Sequence, residues 1–578
     1  MAAPWTSRYD LDVPPSLAPY PARTLVDYVR DNGQARPEAA AVFFKGTTLS
    51  NRDLDDLSDR FAASLVASGI KKSDRVALIL PNCPQFMIAE IGAWKAGATV
   101  LPLNPLYTAG ELRDPLDAAG VEIVVTLTPF YNRLKDIRSV TPVKRVIATS
   151  IKEYLPPLLR VLFTLFKEKK GGHRIELEPG DQWFQDCLGH RNDRSADLQA
   201  GPAPDDPAIM LMSGGTTGVP KAVVGPHRCF VAAGMQLATW LQPPKNAPQD
   251  IALVPLPLFH VYACVGVQSH SIMSRTPMAL VPNPRDIGDL LKTITTVRPT
   301  LFSAVPALFI ALLNHPKVKN KSADFSSIRA SFSGAAPLMA ATKTQFEELT
   351  GSRIVEGYSL TEAMMACVVN PLNGVNKSGS VGVPLPDVEV AIVDTESGNR
   401  FLPAGETGEI VLRAPQLMTG YFNDVEETAR ALRAHPPAEP GSGGEEPWLH
   451  TGDLGYVDED SFLFIVDRQK DLIKTSGYQV WPREVEEVLA AHPSVQDVGV
   501  AGVPDDLKGE VVKAWVVKRS GTNPTVDELR AYCRQNLAPY KSPVHVEFRD
   551  ALPKTMAGKV LRRALVAEHQ DAAKLKSS

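Results

Sequence analysis

A glycine- and hydroxyl-rich stretch between Leu211 and Gly225, LMSGGTTGVPKAVVG, has the composition of a phosphate-binding loop. Its glycines let backbone N–H groups approach an anion, its hydroxyls add donors, and Lys221 adds a cation. In the common nucleotide loop, G-x-x-x-x-G-K-[ST], the lysine directly follows the glycine where a helix begins. Here Val219 and Pro220 precede the lysine, and the proline disfavours such a helix. The stretch therefore predicts a phosphate cradle of another architecture.

Four later stretches carry side chains suited to the rest of a nucleotide and to acyl chemistry. The first is a turn of small residues against which a flat ring can lie. The second joins an aromatic ring, hydroxyls and a carboxylate, and the third contains an aspartate in TGD and an Asp-Arg pair. The fourth places a lysine directly after a glycine. In chain order they are SFSGAAPL (Ser331–Leu338), EGYSLTEA (Glu356–Ala363), the segment Trp448–Glu486, and PKTMAGKVLRR (Pro553–Arg563).

The order and spacing of these five motifs resemble those of the adenylate-forming superfamily, which includes acyl-CoA synthetases, peptide-synthetase adenylation domains and firefly luciferase. The resemblance covers nearly the whole chain. SGGTTG in the loop, and IKEYLPPLLRVLFTLFKEKKG followed by GDQWFQDCL, are similar to bacterial long-chain fatty acyl-CoA synthetases. The resemblance implies that ATP and a fatty carboxylate form an acyl-adenylate and pyrophosphate. The CoA thiol then displaces AMP to give acyl-CoA.

The resemblance also implies how ATP is bound. Thr361 would contact the α-phosphate, and Glu362 would bind Mg²⁺, a hard cation that prefers oxygen ligands. Asp453 would accept hydrogen bonds from the ribose hydroxyls, supported by Arg468. The β- and γ-phosphates would be held by Ser213, Gly214, Gly215, Thr216, Thr217, Gly218 and Lys221, and adenine would lie between Tyr358 and the turn of Gly334, Ala335 and Ala336.

Lys559 would bridge the substrate carboxylate and the α-phosphate, since two anions must be brought together. Lys470 would be the hinge about which a small C-terminal domain rotates between the two half-reactions. That rotation would replace Lys559 with a turn beside the CoA channel, where a glycine leaves room for the pantetheine arm. The residues assigned to this turn are Ser476, Gly477 and Tyr478, and Lys474 is counted with the cofactor-binding residues.

His260, in PLPLFHVYA, would line the acyl pocket near the reacting carboxylate. We group it with Lys559, Thr361 and Glu362 as catalytic-site residues, but not as a base, because a carboxylate is already ionised at neutral pH. The acyl chain needs an apolar tunnel, and core packing accounts equally well for each residue considered for it. These candidates are Val261, Val265, Met364 and Met365.

Alternating helix and strand patterns must position these motifs. Residues 49–70 read as an amphipathic helix, and short apolar runs such as RVALIL and VEIVVTL read as buried strands between helices. Such runs imply covered, parallel strands, so the class is α/β. We expect a large N-terminal domain of mixed sheets and helices over residues 1–469. A small, mobile α+β domain is expected over residues 470–578.

Bulk composition restricts the functional classes. The 578 residues exceed one hydrophobic core, and a net charge of −4 without a basic stripe gives no reason to expect nucleic acid. Six scattered cysteines form no C-x-x-C pair, and the N-terminus has no signal pattern, so a cytoplasmic protein is expected. The uncharged segment 251–274 contains prolines and histidines, which favour a buried strand, turn and helix over a membrane span. The oligomeric state stays open.

An apolar segment over residues 153–172 admits two interpretations. Leucines and phenylalanines cover most of the predicted helix, and Lys167, Lys169 and Lys170 follow them. Such a helix can lie on the inner face of a membrane with its lysines near head groups. It can equally dock on the surface of its own domain.

Other functions also remain open. They are an acyl-AMP ligase, which the uninterrupted DRQKDLIKTSGYQVWP disfavours, a CoA ligase for aromatic or medium-chain carboxylates, and a luciferase-like oxidase. A non-catalytic acyl-nucleotide-binding scaffold is disfavoured because Glu362 and Lys559 are both present. Ala222 and Ser359 stand where the superfamily usually has glycine. These two departures weaken any inference on precise specificity.

Overall fold

A computed structural model of the chain describes residues 3–189, 201–213, 221–243, 248–435, 446–468, 471–475, 478–505, 507–555 and 559–577. These residues form four β-sheets with helices packed on them. In chain order the strands are β1 (Ala40–Phe44), β2 (Thr47–Ser50), β3 (Arg75–Ile79), β4 (Thr99–Pro102), β5 (Ile123–Leu127), β6 (Arg145–Thr149), β7 (Gln182–Trp183), β8 (Pro207–Ser213), β9 (Lys221–Pro226), β10 (Ala252–Val254), β11 (Met278–Leu280), β12 (Leu301–Ala304), β13 (Ala330–Ser333), β14 (Arg353–Leu360), β15 (Met365–Val369), β16 (Val383–Pro384), β17 (Glu389–Val393), β18 (Gly408–Arg413), β19 (Gly420–Tyr421), β20 (Leu432–His435), β21 (Glu446–Val457), β22 (Leu463–Arg468), β23 (Ile473–Thr475), β24 (Tyr478–Val480), β25 (Val495–Asp505), β26 (Gly509–Lys518) and β27 (His545–Arg549).

The helices lie between these strands. In chain order the α-helices are α1 (Leu25–Ala35), α2 (Asn51–Ala67), α3 (Pro84–Lys95), α4 (Ala109–Ala118), α5 (Tyr131–Ile137), α6 (Pro157–Phe166), α7 (Phe184–Cys187), α8 (His227–Trp240), α9 (Gln268–Ser274), α10 (Ile287–Val297), α11 (Pro306–Asn314), α12 (Pro316–Lys319), α13 (Ala340–Thr350), α14 (Val425–Ala431), α15 (Pro482–Ala490), α16 (Val526–Asn536) and α17 (Arg562–Ser577). A π-helix, Tyr262–Val267, leads directly into α9.

The two largest sheets confirm the predicted α/β class. One has the strand order β16-β15-β14-β13-β12-β10-β11-β1-β2, and the other β19-β9-β8-β4-β3-β5-β6-β7. Their central strands pair in parallel, from β10 to β14 in the first and from β3 to β8 in the second. Helix α3 is buried along its whole length, as expected for a helix covered on all sides. Segment 251–274 is strand, turn and helix within the core, as predicted, and no described helix is long and apolar enough to cross a membrane.

The remaining two sheets are smaller. One is antiparallel, with β22 beside β21 and the order β17-β18-β21-β20. The other, β24-β23-β26-β25 with β27 beside β26, contains only strands that follow residue 470. Helices α15 and α16 cover one face of this last sheet, and α17 contributes to a separate cluster on its other side. The predicted small α+β unit is therefore present, while the boundary at residue 470 stays a prediction.

A buried ion-pair cluster joins α2 and α3 beneath the two large sheets. The Lys95 ammonium is 2.5 Å from Asp55 Oδ1 and 2.6 Å from Asp59 Oδ1, and it also donates to the Asp55 carbonyl. The Lys95 side chain is 1% exposed and the two aspartate side chains are each 7% exposed. Charges this deeply buried are tolerated only where they are paired and hydrogen-bonded.

Replacing Lys95 with methionine tests this cluster. We expect the free energy of unfolding to fall by about 3–5 kcal/mol, because two buried carboxylates lose the cation they share. Denaturant unfolding followed by tryptophan fluorescence measures the loss. Lys144→Met is the matched control, since Lys144 and Glu122 form an exposed pair at 2.6 Å, and its cost should stay below about 1 kcal/mol. Equal losses in the two variants would contradict the interpretation.

Candidate active site

The predicted motifs meet where parallel strands of the nine-stranded sheet end. The turn that begins at Gly334 follows β13, Thr361 and Glu362 follow β14, and His260 lies after β10. Strands β12, β13 and β14 are parallel neighbours, so their carboxyl ends lie at one edge. In open α/β sheets, ligands bind in the crevice outside these ends. Motifs that are distant in sequence are brought together in this way.

The predicted phosphate loop connects two antiparallel strands. Ser213, at the end of β8, pairs with Lys221, at the start of β9. The arrangement is strand–loop–strand, in contrast to the strand–loop–helix of the common nucleotide loop, which confirms that no helix begins at the lysine. Ala222 lies within β9 opposite Met212, and no contact explains why alanine replaces glycine there. The central loop residues Gly214, Gly215, Thr216, Thr217 and Gly218 lie outside the described part of the chain.

Two residues that the motif analysis missed, Tyr421 and Glu427, contact Lys221, and Tyr421 also contacts Glu362. The Lys221 ammonium lies 2.6 Å from Glu427 Oε1 and 5.5 Å from the centre of the Tyr421 ring. The Tyr421 hydroxyl donates to Glu362 Oε1 at 3.0 Å. The lysine assigned to phosphate and the carboxylate assigned to metal are therefore both engaged by protein groups. The stretch GYFNDVEET contains an aromatic ring and carboxylates, which could have indicated functional side chains there. Nothing in the sequence indicates that Tyr421 and Glu427 approach Lys221.

Three residues assigned to adenosine form one hydrogen-bonded group. The Tyr358 hydroxyl donates to Asp453 Oδ2 at 2.7 Å, and Arg468 Nε lies 3.1 Å from Asp453 Oδ1. Asp453 and Arg468 face each other across β21 and β22. Burial, reinforced by the Asp453 carboxylate, raises the pKa of Tyr358 well above its usual value, so the phenol remains a donor. The residues predicted for ribose and adenine are thus brought together.

Three residues in or next to the predicted motifs have positive backbone φ angles, as do several residues elsewhere in the chain. Ala335, in the turn after β13, has φ +67°, and Met364 and Met365, just beyond Glu362, have φ +48° and +117°. Positive φ is costly for residues with a side chain and persists only where the surroundings enforce it. The Met364 and Met365 side chains occupy space that a Cβ on Gly225 or on Gly266 would fill, at 2.1 and 2.4 Å.

An apolar cavity opens beside this group. It lies between the π-helix and strands β10, β12, β13, β14 and β15. Among its lining residues are Tyr262, Gly266, Phe332, Ser359 and Met365. Of the four predicted acyl-pocket residues, Met365 lines this cavity, and the others lie in the surrounding core. Those others are Val261, Val265 and Met364.

Lys559 reaches the site from the small C-terminal sheet. Burial and the positive charge of Lys559 lower the pKa of the partly buried His260 to about 4. His260 is therefore neutral at pH 7, and it is close enough to Lys559 to sense its charge. Thr555 holds the backbone of Lys559 by two hydrogen bonds. Its N–H donates to the Lys559 carbonyl at 2.8 Å, and its hydroxyl accepts from the Lys559 N–H at 3.1 Å.

An ion-pair network flanks the predicted hinge. Arg562, at the start of α17, lies 2.8 Å from both Asp471 and Glu486 and 3.4 Å from Asp467. Asp467 also accepts from the Arg483 N–H at 2.8 Å. The network therefore joins strand β22 to the elements that follow the hinge. The motif analysis missed Arg562, which stands three residues after Lys559 in KVLRR.

Tyr478, assigned to the CoA-side turn, and Lys474, counted with the cofactor-binding residues, lie on a separate hairpin. Both are exposed, on β24 and β23, and the Tyr478 ring stacks on Tyr540 with 4.6 Å between centres. Ser476, Gly477 and the predicted hinge residue Lys470 lie outside the described part of the chain.

The donor set fits magnesium shared with a phosphate ligand. Among the described residues, no group of three or more His, Cys, Asp or Glu side chains is arranged to hold a metal ion. Glu362 offers one carboxylate, and one of its oxygens accepts from Tyr421. Mg²⁺ is commonly held by one or two carboxylates together with substrate phosphates and water. Glu362 together with the phosphates of ATP would satisfy that requirement.

The chain is similar in sequence to known proteins. Residues 29–422 match the AMP-binding enzyme family, and residues 484–559 match the AMP-binding enzyme C-terminal domain. The chain is 38% identical to a long-chain-fatty-acid–CoA ligase of Bacillus subtilis (strain 168), over 98% of each chain. It is 33% identical to 4-coumarate–CoA ligase 2 of Oryza sativa subsp. japonica, over 97% of this chain and 94% of the relative.

A solved structure extends the likeness to the fold. ATP-bound MatB from Rhodopseudomonas palustris superposes with a TM-score of 0.79 at 27% identity, over 96% of this chain and 100% of MatB. The predicted resemblance is confirmed by the family match, the near full-length relatives and the shared fold. On this evidence the chain is a member of the AMP-binding enzyme family.

Proposed function

We propose that the protein is a long-chain fatty acid–CoA ligase that works through an acyl-adenylate. ATP and a fatty carboxylate give acyl-AMP and pyrophosphate, and the CoA thiol then displaces AMP. The observation that carries the proposal is the hydrogen-bonded adenosine group (Asp453, Tyr358 and Arg468) near an apolar cavity, with Lys559 close to His260. The similarity to the long-chain ligase of Bacillus subtilis supports the fatty substrate.

In the first step, a carboxylate oxygen attacks the α-phosphorus and pyrophosphate leaves. The protein must offset the repulsion between two anions, and in this proposal Lys559 contacts both the carboxylate and the α-phosphate. Neutral His260 lines the approach without adding charge, and Thr361 donates to the α-phosphate. Mg²⁺ held by Glu362 would supply further neutralisation of phosphate charge when bound.

In the second step, the CoA sulfur attacks the acyl carbonyl and AMP leaves. The hairpin that carries Lys474 and Tyr478 belongs to the same small sheet as the elements around Lys559. A rotation of this unit about Lys470 would withdraw the lysine and present the Ser476–Tyr478 turn to CoA. This rotation would leave the adenosine group in place, since its residues lie on β14, β21 and β22.

An aromatic or medium-chain carboxylate is the second candidate substrate. The identity to the rice 4-coumarate–CoA ligase favours it. Pyrophosphate release measured across carboxylates of increasing chain length and with coumarate, with and without CoA, distinguishes the substrate classes. Release that requires a long chain, with CoA-dependent thioester formation, supports the proposal. Adenylation without thioester formation would indicate an acyl-AMP ligase instead.

We also place the protein in the cytoplasm, in peripheral contact with the inner face of a membrane. Helix α6 supports this location because it exposes an apolar face to solvent. Substrate supply gives a reason for it, since long-chain fatty acids partition into bilayers.

Lys559→Ala separates the two half-reactions. We expect adenylation, measured as pyrophosphate release, to fall by about 10²–10³, because a preorganised charge donor is lost from the transition state. Thioester formation from preformed acyl-AMP and CoA should be largely retained. Lys508→Ala is the control, since Lys508 is an exposed lysine of the same small sheet region. Equal loss of both half-reactions would contradict the role of Lys559.

Glu427→Gln tests whether the ion pair with Lys221 competes with ATP. We expect KM for ATP to fall by about threefold to tenfold, because the phosphates no longer have to displace a carboxylate from Lys221. The kcat should change little. Glu426→Gln is the matched control, because that neighbouring carboxylate is exposed and pairs with Arg430. A rise in KM for ATP in E427Q alone would show that Glu427 supports ATP binding instead.

Gly266→Ala tests the apolar cavity as the acyl site. An added Cβ would lie 2.4 Å from the Met365 sulfur, so Met365 must shift against the cavity. We expect kcat/KM to fall by about tenfold or more for long chains and much less for short ones, since each displaced methylene is worth about 0.8 kcal/mol. Gly110→Ala is the control, as no atom lies within 4 Å of its added Cβ. A uniform loss across chain lengths would argue against the assignment.

A further inference from the structure

Helix α6 is amphipathic with its apolar side turned away from the protein. None of its ten residues is buried. Six of the sixteen large hydrophobic side chains exposed in the described residues belong to it. The most exposed, Leu158, Leu165 and Phe166, are 71%, 69% and 66% accessible. The helix therefore does not bury its apolar side against its own domain.

The polar residues of α6 form contacts within their own segment. Arg160 forms an ion pair with Glu153, and Thr164 lies 3.5 Å from the ammonium of Lys152. Lys152 in turn binds Glu168 at 2.6 Å. Arg160 and Thr164 are themselves exposed, so these contacts tie the helix to the residues on either side of it and leave its apolar side in solvent, unlike a core helix, which buries its apolar stripe.

An aromatic contact completes the attachment. The Phe163 ring packs edge-on against His173 with 4.9 Å between centres, and His173 Nδ1 is 3.0 Å from the Thr128 hydroxyl. Phe163 is only partly exposed, in contrast to its neighbours Leu162 and Phe166. The helix is thus anchored along one side, and the solvent-facing side is left to leucine, valine and phenylalanine.

The exposed charged side chains that follow the helix are positive. Lys167, Lys169 and Lys170 follow directly and are exposed. The acidic residues of the segment, Glu153 and Glu168, are each paired with one of its own cations. An exposed apolar face beside a cluster of lysines is the pattern of a helix that lies in the interface of an anionic bilayer.

We propose that α6 is a membrane-docking surface whose partner is an anionic bilayer. The outward side chains of Leu158, Val161, Leu165 and Phe166 enter the boundary between head groups and acyl chains, while the three lysines contact lipid phosphates. The docking rests on contacts of α6 alone and does not depend on the proposed ligase activity. Its consequence for substrate supply does depend on that activity, since a fatty acid dissolved in the bilayer would then be close to the enzyme.

Flotation of the full chain with lipid vesicles tests the proposal. The parent protein should bind vesicles of phosphatidylcholine that contain a minor fraction of phosphatidylglycerol. Leu158→Ser, Val161→Ser, Leu165→Ser and Phe166→Ser, combined in one variant, should reduce binding by at least about tenfold. These side chains are exposed, so unfolding curves and pyrophosphate release with a water-soluble carboxylate should match the parent.

Two further variants sharpen the test. A matched control combines Leu11→Ser, Val375→Ser and Leu507→Ser, which remove exposed apolar side chains elsewhere, and it should bind vesicles as the parent does. Lys167→Glu, Lys169→Glu and Lys170→Glu together should abolish the preference for phosphatidylglycerol and the salt dependence of binding.

Three outcomes would overturn the proposal. The first is that the serine variant of α6 still binds vesicles, and the second is that the parent protein does not bind them. The third is a dimer of the parent that the same serine substitutions disperse, which would show that a second copy covers this face. Loss of vesicle binding with intact pyrophosphate release supports docking whatever the ligase assay shows. Loss of thioester formation with intact vesicle binding would instead contradict the proposed function.

Discussion

Repulsion between a triphosphate and a carboxylate is the constraint around which this site is built. Two unit charges 4 Å apart interact by about 4 kcal/mol in an environment of intermediate dielectric, so cations must offset each approach. We assign this role to Lys221, on a hairpin, and to Lys559, in the small C-terminal unit, while Arg468 is assigned to the ribose region. Lys221 and Arg468 already face carboxylates, those of Glu427 and Asp453. Such pairing lowers the cost of holding cations in a partly buried crevice.

Irregular backbone occurs where some of these groups converge, and positive φ angles are also found elsewhere in the chain. Two successive methionines with positive φ follow Glu362, and the π-helix beside the cavity carries Gly266, over which Met365 packs. Strain of this kind persists where the surrounding structure over-determines it. The two large sheets share one continuous core that includes Met364 and Met365. The regular part of the fold thus enforces the irregular part, which shapes the site.

The small C-terminal unit is attached in a different manner. Its two apolar clusters are separate from the main core, and Arg562 with Asp467, Asp471 and Glu486 joins it to strand β22 through ion pairs. These groups are largely buried, and ion-pair partners that separate regain hydration, which offsets part of the lost attraction. An attachment of this kind suits the proposed rotation, because the rotation would break few apolar contacts.

Local sequence patterns were sufficient for the fold class, most elements and the five motifs. Apolar runs between helical segments predicted parallel covered strands, and Pro220 predicted that no helix begins at Lys221, because these features depend on neighbours along the chain. Contacts between distant segments were not predictable in this way. Glu427 beside Lys221, Tyr421 on Glu362 and the Arg562 network each join segments that only the packed sheets bring together.

Helix α6 shows the same division most clearly. Its composition determined that it is amphipathic, since side-chain period follows from the helix itself. Which side faces the protein was decided by the packing of Phe163 on His173, which in turn lies within hydrogen-bond distance of Thr128. The sequence by itself therefore determined the chemistry available to this protein and the elements that carry it. The tertiary structure decided which charges meet and which apolar surface stays exposed, because both depend on distances between residues far apart in the chain.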